Sequence, residues 1–491
     1  MTERMDAEVL VIGSGAGGAT TATVLAEAGF DVLVVEEGPW VEQGAVVPFS
    51  LDQMEQQYRA GGVTVALGAP SVAYTEGRCA GGGTEVNSGL YFRPPADTLA
   101  RWRDESHLVD FDPDDLLRIA DEVEVALSVS TGPGGHSAPS EMLRRGAARL
   151  GWRHDEIPRW ITHTTTDPTK GQRASMTRTY LPRAERAGAR LAVGCRVDRL
   201  VRTNRSSTRF DRADVTLSDG RHGEITFRWV FVCGGAIQSP AVLLRSSIDG
   251  YIGRTLAVHP TVKLAARFPE ALNVPDDVPV HQVKEFAPLL SFGGSASNPG
   301  LVALSLLDQW RRFSSAVTDW ERMSVYYAAI TSEGRGRVRV LPGLVDPVVT
   351  YRLTARDREL LRSGLARLAH LMLEAGADTV FPSFRGAPAI RRRRDVATMQ
   401  HAFRATKASV MTVHLCSTVP SGNDPARSGT DSFGRVHGLD NVYVNDASLL
   451  PAAPGVNPQA TVMAFAIRNA RHFVSVMRAG ATPATAGGRH D

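Results

Sequence analysis

Gly13, Gly15 and Gly18, followed by Glu36, have the types and spacing to hold two phosphates and a ribose. In Gly13-Ser14-Gly15-Ala16-Gly17-Gly18 the first glycine permits a tight turn and the second lets backbone approach a pyrophosphate. Gly18 lets a helix pack closely on a strand. The N-terminus of the helix that follows turns free N–H groups and a partial positive charge toward the phosphates. Glu36 stands where a carboxylate accepts hydrogen bonds from ribose hydroxyls. The elements needed to position these groups are present: Val9-Leu10-Val11-Ile12 reads as a buried parallel strand, Ala19–Ala28 as a helix, and Val32–Val35 as a second strand. Such a βαβ unit takes a dinucleotide and by itself does not separate FAD from NAD.

The bulk numbers narrow the class. Of 491 residues 43% are hydrophobic and 22% charged, with a net charge of +3. That is ordinary globular composition, with too little charge to argue for nucleic acid or an anionic membrane. Lysine occurs four times against 51 arginines, and Arg391–Arg394 reads as a solvated face. Cys79, Cys195, Cys233 and Cys416 form no zinc spacing, so no metal is expected, and reduced thiols in a cytoplasmic protein are the simplest reading. No signal region opens the chain and no apolar run approaches ~20 residues, so no membrane contact is expected. The tail, 479–491, reads as disordered.

A second glycine cluster, Gly77-Arg78-Cys79-Ala80-Gly81-Gly82-Gly83-Thr84-Glu85-Val86-Asn87-Ser88-Gly89, brings backbone close to a ligand, with Thr84 and Asn87 as polar contacts. Together with the first unit it resembles the glucose–methanol–choline (GMC) flavoprotein oxidoreductases, in which this cluster lies along the isoalloxazine and pyrophosphate of FAD. The stretch Gly234–Ser246 resembles the second GMC signature, with Gly235, Ala236, Ser239, Pro240 and Ser246 in place and Ser247 where the family usually has glycine. The comparison puts the backbone of Val197 near the adenine and gives His259 a structural role. Val413–Gly422 is similar to the segment holding the family's active-site histidine, here His414. Val419 and Ser421 depart from its commonest form. In Val444–Thr461 the family places a second His or Asn before a proline, here Asn457 before Pro458, with Asp446, Ala447 and Gln459 also beside the cofactor.

The resemblance implies an α/β chain, with a Rossmann-like FAD-binding domain interleaved with a substrate domain built on an antiparallel sheet with helices. The FAD-binding domain takes 1–45, 74–100, 190–260 and 434–478. The lid and substrate domain take 46–73, 101–189 and 261–433. FAD should be held non-covalently, because no histidine occurs between Gly77 and Gly89, where some members attach it. The implied reaction oxidises an alcohol to an aldehyde or ketone, with hydride passing to flavin N5. Neutral imidazole, with a pKa near ~6.5, suits His414 as base. Asn457 would hold the hydroxyl oxygen, and the helix after Pro458 would aim its N-terminus at the flavin's N1/C2=O edge.

Oxygen is the expected acceptor, and nothing in the sequence specifies an oligomeric state. The glycine pattern and the segment around His414 resemble a bacterial subgroup with sterol oxidases and aminoglycoside-pathway hydroxymethyl oxidases. The polar excursion around Asp52 and Glu55, with Glu85 and Glu285, points to a primary hydroxyl of a polar, amino-substituted sugar. Oxidation of sterols or other hydrophobic alcohols is the alternative within the family. Outside it, the first βαβ unit would also serve an NAD(P)-linked reductase or a non-catalytic nucleotide-binding protein.

Overall fold

The computed structural model describes residues 3–132, 136–163, 171–204, 206–274 and 278–481. Glu3–Ile12 lies at the centre of the first sheet, parallel to Val32–Val35 on one side and His222–Val232 on the other. Arg190–Ala192 extends the sheet beyond Val32–Val35, and Val442–Val444 joins the end of His222–Val232, both parallel. Arg212–Leu217 and Cys195–Val201 continue it antiparallel. The central strands are apolar on both faces because both are covered. Val9, Val11, Val32 and Val34 pack with Ala22, Leu25 and Phe473. Leu10, Leu33 and Val230 face the other way, into a cluster with Leu116, Val123 and Phe465.

The second sheet is largely antiparallel. Thr261–Arg267 lies between Met323–Ile330 and the two strands Val410–Thr412 and Thr379–Pro382. Leu290–Ser295, His281–Val283 and His154–Glu156 follow beyond Met323–Ile330. Alternation sorts its residues. Val262, Leu264, Tyr326, Ala328, Leu290 and Phe292 pack against the helix Ala355–Ala375. Thr261, Lys263, Tyr327, Ala329 and Ser291, one step out of phase, face a cavity between the two sheets. The helix Ala355–Ala375 opens on a capping box: Asp357 N–H donates to Thr354 Oγ1 at 3.0 Å and Thr354 N–H to Asp357 Oδ2 at 2.8 Å.

Three expectations change. Residues 101–189 do not form one piece of the substrate domain. Trp102, Leu116, Val123, Tyr180 and Leu181 join the core of the first sheet, while the helix Ala138–Leu150 joins that of the second. An amphipathic stripe says that a helix covers something, not which sheet. The excursion 46–73 is partly regular, with a helix Leu51–Gln57 capped by Ser50 and strands Thr64–Ala66 and Val72–Tyr74 at the edge of the second sheet. The final helix, Gln459–Ala481, runs into the segment read as disordered, and the rest of that tail lies outside the described residues. Among the described residues no helix is long and apolar enough to cross a membrane.

Candidate active site

A cavity of about 1290 Å³ lies between the sheets, larger than a site for one small ligand usually is. Gly13, Gly15, Ala16, Glu36, Gly82, Gly83, Thr84, Asn87, Val197 and Gly235 border it, as do His414, Asp446, Ala447, Asn457, Pro458 and Gln459. Gly18, alone among the expected residues, does not. It sits behind the turn, where a Cβ would stand 1.9 Å from the Gly13 carbonyl oxygen.

The glycine cradle is built by backbone contact. Gly13 has φ +101° and its missing Cβ would fall 2.4 Å from the Cys233 carbonyl oxygen. Gly82, at φ +53°, sets its own Cβ position 3.0 Å from the Cα of Gly15, so the two glycine clusters touch. Nothing lies within 4 Å of the Cβ positions of Gly83 and Gly235, which leaves open space on the cavity side. The helix Ala16–Glu27 has no side-chain cap and no acid in its first turn, so its N–H groups are left for a phosphate. Glu36 is buried at the end of the second strand and accepts from Ser14 Oγ at 2.7 Å and Gly38 N–H at 2.9 Å. Burial pushes its carboxyl above the ordinary value, against those hydrogen bonds. These residues fit FAD.

Several expected contacts are spent within the protein. Thr84 Oγ1 donates to Gly81 O at 2.7 Å and accepts from Met176 N–H at 3.1 Å, which fixes the glycine turn. Asn87 Nδ2 donates to Gln459 Oε1 at 2.8 Å, tying the second glycine cluster to the start of the final helix. The Asp446 carboxylate accepts from Gly235 N–H and Ser448 N–H, each at 2.7 Å, and from the hydroxyls of Ser239 and Ser448. It therefore positions the two loops instead of reaching into the cavity.

His414 owes its place to strand register. Val258 pairs with Leu415 in a short antiparallel ladder, so the next residues outward, His259 and His414, come face to face. Their Nδ1 atoms are 3.0 Å apart and the rings stand at 90°. Gly455 N–H donates to His259 Nε2 at 3.0 Å. A neutral His259 must then carry its proton on Nδ1 and donate it to His414 Nδ1, so His414 bears its own on Nε2. Burial, helped by the charge of Lys284, pulls His414 down to about 4, and burial likewise holds His259 well below its ordinary value. The pair is neutral at physiological pH. If His414 must be neutral for turnover, the acid limb of flavin reduction falls near pH 4. A limb near the ordinary ~6.5 would count against this.

Asn457 borders the cavity in the loop before the final helix, and its side-chain amide has no hydrogen-bond partner among the described residues. The sequence reading missed the polar wall opposite: Lys263, Gln282, Lys284 and Tyr327. Scarcity was the available signal, since Lys263 and Lys284 are two of only four lysines. The four acids expected to draw an amine do not border the cavity. Asp52 and Glu55 are exposed, Glu85 accepts from Thr177 Oγ1 at 2.8 Å, and Glu285 is exposed and accepts from Arg153 N–H at 2.9 Å.

A Rossmann-like cradle beside a histidine-lined cavity fits a dinucleotide-dependent oxidoreductase. The GMC oxidoreductase family's N-terminal model matches residues 54–261 and its C-terminal model residues 332–466, while an NAD(P)-binding Rossmann-like model matches 11–41. A GMC-type oxidoreductase of Sinorhizobium fredii, described as uncharacterized, is 36% identical over 481 residues, covering 96% of this chain and 95% of the relative. The 6'''-hydroxyparomomycin C oxidase of Streptomyces lividus is 28% identical, covering 96% of this chain and 92% of the relative. Among solved structures, pyridoxine 4-oxidase from Mesorbium loti superposes with a TM-score of 0.70 at 20% identity, over 95% of this chain and 99% of that one. The chain belongs to the GMC oxidoreductase family. It is an FAD-dependent enzyme acting on alcohol CH–OH groups, which sets aside the NAD(P)-linked and non-catalytic readings.

Proposed function

We propose that this enzyme oxidises a primary hydroxyl of a polar, sugar-like alcohol, with His414 taking the hydroxyl proton and molecular oxygen as final acceptor. The observation that carries it is that His414 and Asn457 border the same cavity as the glycine cradle, across from a polar sheet face. FAD, held non-covalently by the glycine cradle and Glu36, supplies the hydride acceptor.

Asn457 has a free amide to hold the hydroxyl oxygen. At rest His414 presents an Nε2–H, a donor. To take a proton at Nε2 its own must sit on Nδ1, which requires His259 to carry its proton on Nε2, against Gly455 N–H. Proton acceptance is therefore coupled to release of the Gly455 contact, in the loop that also carries Asn457. Asn457→Ala removes one hydrogen bond and leaves the imidazole, so reduction is expected to slow about tenfold, less than on loss of His414. Stopped-flow anaerobic bleaching measures it.

The Streptomyces lividus relative, which bears an aminoglycoside oxidase's name, supports a sugar-like substrate, whereas the acids expected to hold amino groups lie off the cavity. A cytoplasmic location is part of this reading and rests on four buried, free cysteines. One observation favours a second reading, oxidation of hydrophobic alcohols. Val63, Leu304, Leu307, Val345 and Val413 border the cavity yet are exposed, Val63 by 85%, so its mouth is apolar. Bleaching by simple sugars and aminosugars but not by sterols or long-chain alcohols supports the first reading, and the reverse supports the second. Peroxide released during turnover checks the acceptor.

A further inference from the structure

We infer that the alcohol this site takes also carries a carboxylate, received by the Lys263 ammonium and the Tyr327 hydroxyl on the sheet wall of the cavity. This substrate class rests on the alcohol oxidation proposed above.

Lys263 and Tyr327 are directly opposite one another in the register of Thr261–Arg267 and Met323–Ile330, and both border the cavity. Opposed residues on antiparallel strands have Cβ atoms about 5 Å apart, so one small anion can reach both side chains. Lys263 has no acid and no hydrogen-bond acceptor for its ammonium among the described residues. Burial alone pulls it down to about 8, which leaves it charged at neutral pH. An enclosed cation without a counter-charge is costly unless a ligand brings one.

The Tyr327 oxygen accepts from Gln282 Nε2 at 3.1 Å, which leaves its own O–H to donate. The ring has room because Gly293 lies opposite, where a Cβ would stand 2.4 Å from that oxygen. One ammonium and one hydroxyl suit the two oxygens of a monoanion. A phosphate dianion calls for more positive charge. Lys284 does not supply it, because its ammonium sits over the Phe92 ring at 4.3 Å and acts on His414.

The residue type fits as well. In a chain that otherwise uses arginine, two of its four lysines border this cavity, and a lysine offers a compact point charge to a small anion. Lys263 follows His259 by four residues, at most about 13 Å of extended chain. The carboxylate and the reacting hydroxyl therefore belong to one small molecule.

Hexanoate and hexanamide test this, because neither carries a hydroxyl that can be oxidised. Each is titrated into the purified flavoprotein, with binding read from flavin absorbance and from thermal shift. Hexanoate is expected to bind at least ~10-fold tighter than hexanamide, as a charge-assisted hydrogen bond implies. Lys263→Met should abolish that preference and raise the melting temperature, since it removes a half-buried, unpaired cation. Tyr327→Phe should reduce the preference without removing it. A purely structural lysine would instead make Lys263→Met less stable. Equal binding of the two probes by the native enzyme, or an undiminished preference in both variants, overturns the inference. If Lys263→Met does not fold, Tyr327→Phe and the native comparison decide. Neither probe is an alcohol, so the result stands apart from whether alcohols bleach the flavin, which tests the reading beneath it.

Discussion

His414→Ala should keep its flavin and lose at least ~10²-fold in the rate of anaerobic flavin reduction by alcohol. Flavin retention follows from where the cofactor's contacts lie: the two glycine clusters, Glu36 and the helix Ala16–Glu27 touch neither histidine. The rate follows from the proton. His414 and Asn457 are the groups assigned to the hydroxyl, and Asn457 cannot accept a proton at physiological pH. Removing the imidazole strands the Nδ1–H of His259, at a cost of about 1–3 kcal/mol, which a folded protein of this size tolerates. Stopped-flow absorbance with a reactive alcohol gives the rate. An undiminished rate in the variant would move the proton acceptor to another group, and loss of flavin would show that His414 is structural.

The second large effect separates two glycines only three residues apart. Gly18→Ala should fail to fold stably, whereas Gly15→Ala should fold and fail to hold flavin. At Gly18 a Cβ would lie 1.9 Å from the Gly13 carbonyl oxygen, a backbone atom that no rotamer change can move aside. The helix must lift from the strand, a loss of more than ~3 kcal/mol. At Gly15 the nearest atom to a Cβ is the Cα of Gly82 at 3.9 Å, so the fold accepts a methyl group there. That methyl would occupy the place where the pyrophosphate must approach the backbone. Melting curves with and without added FAD distinguish the two variants. Equal stability and equal flavin content in both would contradict the cradle geometry.

These glycines also show what was legible in the chain. The βαβ unit, the turn glycines and Glu36 announce themselves because a tight turn, a helix start and a buried strand each depend on residues within ~10–30 positions of one another. The cavity is bordered by the expected residues from Gly13 to Gln459 apart from Gly18, even where Thr84, Asn87 and Asp446 bond within the protein instead of into it. The need for glycine at 17 is not legible in the same way: its missing Cβ would lie 2.2 Å from the carbonyl oxygen of Asn445, more than 400 positions later in the chain.

The sequence by itself determined the dinucleotide cradle, and its resemblance to the GMC family singled out His414 and Asn457 as candidates. Only the tertiary structure decided that the segment 101–189 divides between two cores, that Asp52, Glu55, Glu85 and Glu285 lie off the cavity, and that His259 orients His414. It alone placed Lys263 opposite Tyr327. The physical reason is common to all four. Each depends on which strand or helix lies beside another across tens to hundreds of residues, and that pairing is fixed by burial and backbone hydrogen bonding over a whole sheet. A one-residue shift of Thr261–Arg267 would turn Lys263 into the core and Leu264 toward the cavity.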